Sequence, residues 1–184
     1  VYVIYTALRE GWKVFVSSVT DEYAVKSIFL TVKVTVITVI INSVFGIFAA
    51  WLITRFKFRG KKLISTLIDL PLTISPIIAG LIFVLTFGRQ SAIYPFLEKW
   101  GIQIIFAVPG IVLATIFVTF PFISREIIPV LTVKGTDEEE AAALMGANGF
   151  QIFTQITFPH IRWAFLYGVV LCSARAMGEF GAVS

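Results

Sequence analysis

Long uninterrupted stretches of uncharged, mostly apolar residues constrain this chain more than any other feature of its sequence. Three of them, residues 34–54, 70–88 and 101–124, are 19 to 24 residues long. A helix needs about 20 apolar residues to cross the hydrocarbon core of a bilayer, where the backbone finds no water to bond. The sequence therefore predicts an all-α fold, a polytopic membrane helix bundle.

Composition supports the membrane assignment. Hydrophobic residues make up 58% of the chain and charged residues 14%, whereas soluble domains average roughly 45–50% and about 25%. This balance excludes a disordered chain and argues against an ordinary soluble domain. One cysteine and one histidine are too few for a metal site built from those residues, so no metal is expected. The net charge of +4 is concentrated in one loop, so no nucleic-acid-binding face is expected either.

Both ends of the sequence interrupt the pattern of spans. A fourth apolar run, residues 163–174, is followed by Arg175 and Glu179 and then by more apolar residues. Residues 1–8 are apolar but too few to cross a bilayer. We therefore expect residues 1–184 to be one transmembrane domain that is incomplete at both ends. It would hold three full spans, a fourth that is nearly complete and a remnant before them.

Basic residues determine the expected orientation. Five of them lie close together between the first two full spans, at positions 55, 57, 59, 61 and 62. The positive-inside rule places this loop in the cytoplasm. The connection at residues 89–100 then lies outside, and the connection at residues 125–162 returns to the cytoplasm. A topology signal without a binding role is sufficient to explain the basic loop.

The second cytoplasmic connection contains the segment 135–159, called the acidic loop below. Thr136 and Glu139 have the spacing of a capping box, and residues 137–140 place four carboxylates in the first turn of a predicted helix. Anionic lipid headgroups would repel these carboxylates. We therefore expect a docking element for a soluble protein rather than a helix lying on the membrane surface.

The acidic loop contains a spaced motif made of Glu140, Ala141, Ala142, Gly146, Ile156 and Pro159, with Phe158 just before the proline. This motif resembles the EAA loop of ABC importer permeases. That family's pattern is Glu-Ala-Ala, three residues, Gly, nine residues, then Ile, any residue, Leu and Pro, so Phe158 stands where Leu is usual. The resemblance implies that this loop, residues 135–159, forms a coupling helix that sits in a groove of the ATP-binding subunit. Gly146 and Gly149 also permit a sharp bend, because glycine tolerates positive φ.

The resemblance continues through much of the chain and is strongest to the sulfate/thiosulfate branch of these permeases. The matching positions are Ala49 and residues 51–56, 69–71, 75–76, 115–122, 161–164, 166–171 and 174–184. The resemblance implies the type I permease fold with six spans, in the bacterial inner membrane. It also implies transport of sulfate or thiosulfate, with molybdate or tungstate as the alternative cargo.

The resemblance implies a transporter subunit rather than an enzyme. No Gly-x4-Gly-Lys-Ser/Thr motif occurs, so the chain lacks that device for binding ATP. The expected partners are an ABC ATP-binding subunit present as a homodimer, a second permease subunit, an extracytoplasmic sulfate-binding protein and the lipid bilayer. We expect no cofactor on this chain, and ATP to be used by the partner subunit.

Polar residues inside the predicted spans suggest a translocation pathway. Arg175 and Glu179 have the i, i+4 spacing of an ion pair, and a charge at mid-bilayer costs a few kcal/mol. They form either a structural pair or a site where Arg175 senses a dianion. Thr73 and Ser75 lie beside two prolines early in the second span. That segment is either a plain kink or a broken helix lining a cavity.

Two other classes of function remain open at this point. A membrane-embedded enzyme would need a nucleophile with a base, or a carboxylate pair, at one depth. Asp69 and Glu179 are the carboxylates near spans, but they are expected toward opposite sides of the membrane, with Asp69 as a helix N-terminal charge or a salt-bridge partner. A purely structural subunit is the third possibility.

Overall fold

The computed structural model describes residues 20–88, 91, 94–99 and 107–178. The helices of this part are α1 (Glu22–Arg55), α2 (Lys61–Thr73), α3 (Pro76–Phe87), α4 (Tyr94–Lys99), α5 (Val108–Lys134), α6 (Asp137–Leu144), α7 (Gly149–Ile152) and α8 (Phe158–Met177). A π-helical turn, Phe153–Thr157, joins α7 to α8. The expected all-α membrane helix bundle is confirmed.

Two of the described helices, α1 and α5, are long and apolar enough to cross a membrane. They contain 34 and 27 residues, or roughly 50 and 40 Å at 1.5 Å per residue. Both extend beyond the apolar runs that predicted them, α1 at its start and α5 by ten residues after Ser124. Helical hydrogen bonding continues past the apolar boundary because water can solvate the exposed polar side chains there.

The second expected span is broken. Helices α2 and α3 meet at a bend of 109°, and the pair is a further crossing only if it forms one interrupted span. Ser75 lies at the break with extended backbone, φ −60° and ψ 138°. Because a residue before proline is disfavoured in helical conformation, Pro76 stops α2 from continuing into α3. The structure thus supports a broken helix over a plain kink.

The fourth expected span is helical but does not meet the same criterion. Residues 163–174 lie within α8, which is not among the described helices apolar enough to cross. The polar residues His160, Arg162 and Arg175 lower the mean hydropathy of this 20-residue helix. The apolar residues 1–8 and Glu179 lie outside the described residues.

The core of the bundle lies where α1, α5 and α8 pack together. Its central side chain is Ile123 of α5, which is completely buried. Glycines face Ile123 from both neighbours: a Cβ added to Gly46 would lie 2.9 Å from its Cγ2, and one added to Gly168 would lie 3.0 Å from its Cα. Small residues allow helices to approach closely in a membrane, where van der Waals packing replaces hydrophobic association.

A buried polar cluster connects the same three helices. Asn42 Nδ2 of α1 donates to Thr119 Oγ1 of α5 at 2.8 Å and lies 3.7 Å from Cys172 Sγ of α8. Thr35 and Thr38, on the same face of α1, are also buried. Sequence reasoning missed this cluster, although polar residues at positions 35, 38 and 42 of an apolar run have helical spacing.

Of the two roles expected for Asp69, the structure shows the salt bridge and not the helix N-terminal charge, because Asp69 lies in the second half of α2. Its Oδ1 lies 3.4 Å from Nε of Arg125, and this contact joins α2 to α5. Both side chains are about half exposed, so the pair contributes little to stability. Its main consequence is positional, because it places the second half of α2, close to the break, beside the part of α5 that leads to the acidic loop.

Candidate functional site

The acidic loop begins where α5 ends at Gly135, which has a positive φ of 70°. The four carboxylates of residues 137–140 lie in the first turn of α6, where the helix dipole favours negative charge. The predicted capping box between Thr136 and Glu139 is wrong. Thr136 Oγ1 instead donates to Glu140 Oε1 at 2.7 Å, because the Glu139 side chain is used elsewhere.

A glycine turn ends α6. Gly146 has a φ of +89°, and its N–H donates to the Ala143 carbonyl while the Ala147 N–H donates to the Ala142 carbonyl, both at 3.0 Å. This is the Schellman arrangement, which satisfies the last carbonyls of a helix and strongly favours glycine. The bend predicted at Gly146 is confirmed. Gly149 does not share it, because it is the first residue of α7.

A capping box that the sequence reasoning missed begins the next helix. Asn148 Oδ1 accepts from the Gln151 N–H, and Gln151 Oε1 accepts from the Asn148 N–H, both at 2.9 Å. The Asn-x-x-Gln spacing was the signal that could have revealed it. The helix then widens into the π-helical turn, where the Phe158 N–H donates to the Phe153 carbonyl. Pro159, which has no N–H, follows in the first turn of α8 and so opens that helix.

The Glu139 cluster, consisting of Arg55, the Leu131 carbonyl, Glu139 and Thr157, lies beneath these turns. Arg55 Nη2 donates to Glu139 Oε1 at 2.7 Å, and Nη1 donates to the Leu131 carbonyl at 3.1 Å. Thr157 Oγ1 donates to the same Glu139 oxygen at 2.8 Å. The Arg55 and Glu139 side chains are only 9% and 16% exposed. The Glu139 carboxylate therefore joins α6 to Arg55 at the end of α1 and to Thr157 in the π-helical turn, and Arg55 extends the contact to the Leu131 carbonyl near the end of α5.

A second and weaker contact joins α6 to α8. His160 Nε2 lies 3.3 Å from Glu138 Oε2, and the Glu138 side chain is 61% exposed. Solvent screens such an exposed pair. The His160 side chain is 27% exposed.

The predicted coupling residues differ in exposure. Those on the outer surface of the loop are Glu140, Ala141, Gly146 and Pro159, whereas Ile156 is half-buried and Ala142 is buried. Large apolar side chains next to them are exposed as well: Leu144 by 90%, Met145 by 82% and Phe150 by 76%. Exposed apolar side chains beside a polar turn are typical of a surface that contacts another protein.

An open groove of about 730 Å³ separates the acidic loop from the second half of α1. Its walls are mainly apolar, and its lining residues are Val44, Ile47, Phe48, Trp51, Arg55, Thr136, Glu139, Glu140, Ala143, Gly149, Ile152, Phe153 and Thr157. The Glu139 cluster closes one part of this groove. The loop thus contacts α1 through a few polar groups rather than through a continuous apolar interface.

The predicted pathway residues lie away from this groove. Thr73 is exposed and donates to the Leu70 carbonyl at 2.8 Å, and Ser75 is exposed at the break between α2 and α3. Arg175 is half-buried in the last turn of α8. Its expected partner Glu179 lies outside the described residues, so the i, i+4 pair stays a prediction.

Comparison with known proteins identifies relatives along the whole chain. Residues 42–184 match the family model described as "Binding-protein-dependent transport system inner membrane component". The sulfate transport system permease protein CysW of Escherichia coli K12 is 47% identical over 184 residues, and that of Synechococcus elongatus is 52% identical over 178 residues. The matches cover 100% and 97% of this chain.

A more distant relative is the probable sulfate transport system permease protein cysT of Prototheca wickerhamii, 39% identical over 176 residues. That match covers 96% of this chain and 69% of the relative. The chain spans 63% of the length of the Escherichia coli protein and 62% of the Synechococcus protein.

Proposed function

The chain belongs to the family of binding-protein-dependent transport system inner membrane components, and we propose that it acts as a permease subunit of an ATP-driven importer for sulfate or thiosulfate. Identity of 47% and 52% to sulfate permease proteins supports this cargo. A dianion cannot cross hydrocarbon unaided, because burying an unpaired charge is prohibitively costly. The subunit supplies a polar route at its interface with a second, CysT-like permease subunit in the bacterial inner membrane.

The acidic loop is the docking element for the separate ATPase in this proposal. The observation that carries it is the combination of an acidic first turn, a glycine-terminated helix and exposed Leu144, Met145 and Phe150. This surface offers both charge and apolar area to a soluble partner. ATP binding and hydrolysis in the partner dimer move α6, and the spans alternate between outward-open and inward-open states. No cofactor on this chain is required.

The substrate reaches the subunit from an extracytoplasmic sulfate-binding protein. The break between α2 and α3 supports a route beside Thr73 and Ser75, because irregular backbone at membrane depth is tolerated where it lines a wet cavity. Arg175, with Glu179, is the cationic group proposed to face the anion. Molybdate or tungstate is the alternative cargo, and uptake of labelled sulfate in competition with molybdate distinguishes them.

A membrane-embedded enzyme is a weaker candidate. Asp69, one of the two carboxylates considered for it, is ion-paired with Arg125. The Asp69 carboxylate is therefore already engaged in a contact between helices. We favour the transport function for this reason and because the relatives are named as permease proteins.

Charge reversal in the loop tests the docking role. In the full-length subunit, Glu140→Lys should lower ATPase binding by at least about tenfold, because it reverses one of the four carboxylates that the first turn of α6 offers to the partner. Sulfate uptake should fall with it while membrane insertion is unchanged. Pull-down of the purified ATPase subunit and uptake of labelled sulfate measure the two effects.

The matched control is Asp21→Lys, the same charge reversal on an exposed residue just before α1. It should leave both ATPase binding and sulfate uptake unchanged. Gly146→Asp, which combines a charge with a strained positive φ, should behave like Glu140→Lys. Normal uptake and ATPase binding in both loop variants would contradict the coupling role.

A further inference from the structure

Helix α6 lies between two glycines with left-handed backbone conformations. Gly135 before it and Gly146 after it both have positive φ, and the helix has only eight residues. Glycine at these positions gives the backbone more freedom than any other residue. A short helix held between two such joints can turn on them unless its side chains are anchored elsewhere.

Two side chains provide that anchorage by polar contacts in the described part of the chain, Glu138 and Glu139. The Glu138 contact to His160 is exposed and longer, at 3.3 Å. The Glu139 contacts are short and buried. Charge-assisted hydrogen bonds are strengthened where water is excluded, so the Glu139 cluster dominates.

We propose that Arg55, Glu139 and Thr157 are positioning residues that make α6 move together with the ends of α1, α5 and α8. This inference deepens the proposed function and rests on it. Arg55 is the last residue of α1, and its guanidinium also donates to the Leu131 carbonyl near the end of α5. Thr157 lies in the π-helical turn that leads into α8, and its hydrogen bond to Glu139 connects that turn to α6. A displacement of α6 by the ATPase is thereby passed to three long helices through one carboxylate.

The burial of the cluster explains why a substitution there should affect coupling. Arg55 Nε is buried and has no hydrogen-bond partner among the described residues, so the guanidinium depends on its two terminal nitrogens. Removing the charge of Glu139 leaves the Arg55 cation poorly compensated in a site of low accessibility. The contact between α6 and α1 should then loosen, although the backbone of the loop remains intact.

The test uses the full-length subunit assembled with its permease and ATPase partners in proteoliposomes. Glu139→Gln keeps the shape of the side chain and an acceptor for Thr157 but removes the charge. We expect the number of sulfate ions imported per ATP hydrolysed to fall roughly three- to tenfold, the size typical of coupling between contacting residues. ATP hydrolysis and ATPase binding should stay near wild type, a separation that simple misfolding does not produce.

The matched control is Asp137→Asn, which removes one charge from the same helical turn at an exposed position that makes no ion pair or side-chain hydrogen bond in the described part of the chain. It should leave the ratio of sulfate to ATP unchanged. A wild-type ratio in Glu139→Gln overturns the proposal.

Thr157→Val supplies a second test if Glu139→Gln fails to assemble. It removes one hydrogen bond without altering side-chain size and should lower the ratio by a smaller factor. An unchanged ratio in this variant also overturns the proposal. Absence of sulfate import or ATPase binding in the wild-type complex would instead contradict the proposed function, so the two failures are distinguishable.

Discussion

Asn42 shows how a polar residue is accommodated among the buried side chains of this bundle. It is completely buried, and its Nδ2 bonds Thr119 on the neighbouring helix. Its Oδ1 has no hydrogen-bond partner among the described residues. A polar group buried in a membrane bundle is costly unless it is paired across helices. The contact should therefore stabilise the association of α1 and α5 by a modest amount.

A double-mutant cycle of Asn42→Ala and Thr119→Val measures this contribution. We expect a coupling free energy of about 0.6 kcal/mol, the average for interhelical hydrogen bonds in membrane proteins. Unfolding of the purified subunit in mixed micelles containing increasing fractions of denaturing detergent provides the free energies. Strict additivity of the two single substitutions would show that the 2.8 Å contact contributes nothing.

At the scale of helices, packing depends on the position of two glycines against Ile123. Gly168 lies so close that an added Cβ would stand 3.0 Å from the Ile123 Cα and 3.4 Å from the Phe122 carbonyl oxygen. Both neighbours are backbone atoms, which cannot rotate away. The spacing between α5 and α8 is therefore determined by the absence of a side chain at position 168.

Replacing this glycine should separate the two helices. Gly168→Val adds bulk where the backbones touch, and overpacking of this kind costs about 1–3 kcal/mol. The free energy of unfolding of the purified subunit should fall by that amount. Ala174→Val, on an exposed position of the same helix, is the control and should cost only a few tenths of a kcal/mol. Equal losses in the two variants would contradict close packing at Gly168.

In the acidic loop, local sequence patterns predicted some of the turns and helix caps and missed others. The bend at Gly146 was predictable, because a glycine after a run of helix formers is a local signal. The capping box at Thr136 was predicted wrongly, since Glu139 has a stronger partner in Arg55, 84 residues away in sequence. Local spacing contains no information about such a distant partner. The capping box at Asn148 follows a local pattern and could have been found.

At the scale of the whole molecule, orientation in the membrane decides whether the acidic loop can meet an ATPase. The basic residues at positions 55–62 predict that their own loop lies in the cytoplasm. The acidic loop follows two spans later and is therefore predicted to lie on the same side. The Glu139 cluster supports the prediction that both loops lie on one side, because Arg55 at the end of α1 contacts α6 directly. A single residue exposed on each side can test the arrangement.

Cysteine labelling provides that test. Cys172 is the one cysteine of the chain and is buried, so it gives a silent background. Leu144→Cys should react with a membrane-impermeant maleimide only in inside-out vesicles, since Leu144 is 90% exposed on α6. Lys99→Cys, on the connection predicted to lie outside, should react in intact cells. Labelling of Leu144→Cys in intact cells would place the loop beyond the reach of a cytoplasmic ATPase.

The amino-acid sequence alone determined the membrane location, the α-helical class and the position of the acidic loop. These follow from local quantities, namely the length of apolar runs, the distribution of basic residues and the spacing of Glu140, Gly146 and Pro159. The tertiary structure decided that α2 and α3 are separate, that Asn42 and Ile123 lie at the centre of the packing, and that Glu139 binds Arg55 and Thr157. Such contacts join residues far apart in the chain, and they depend on how the helices pack in three dimensions rather than on any local pattern.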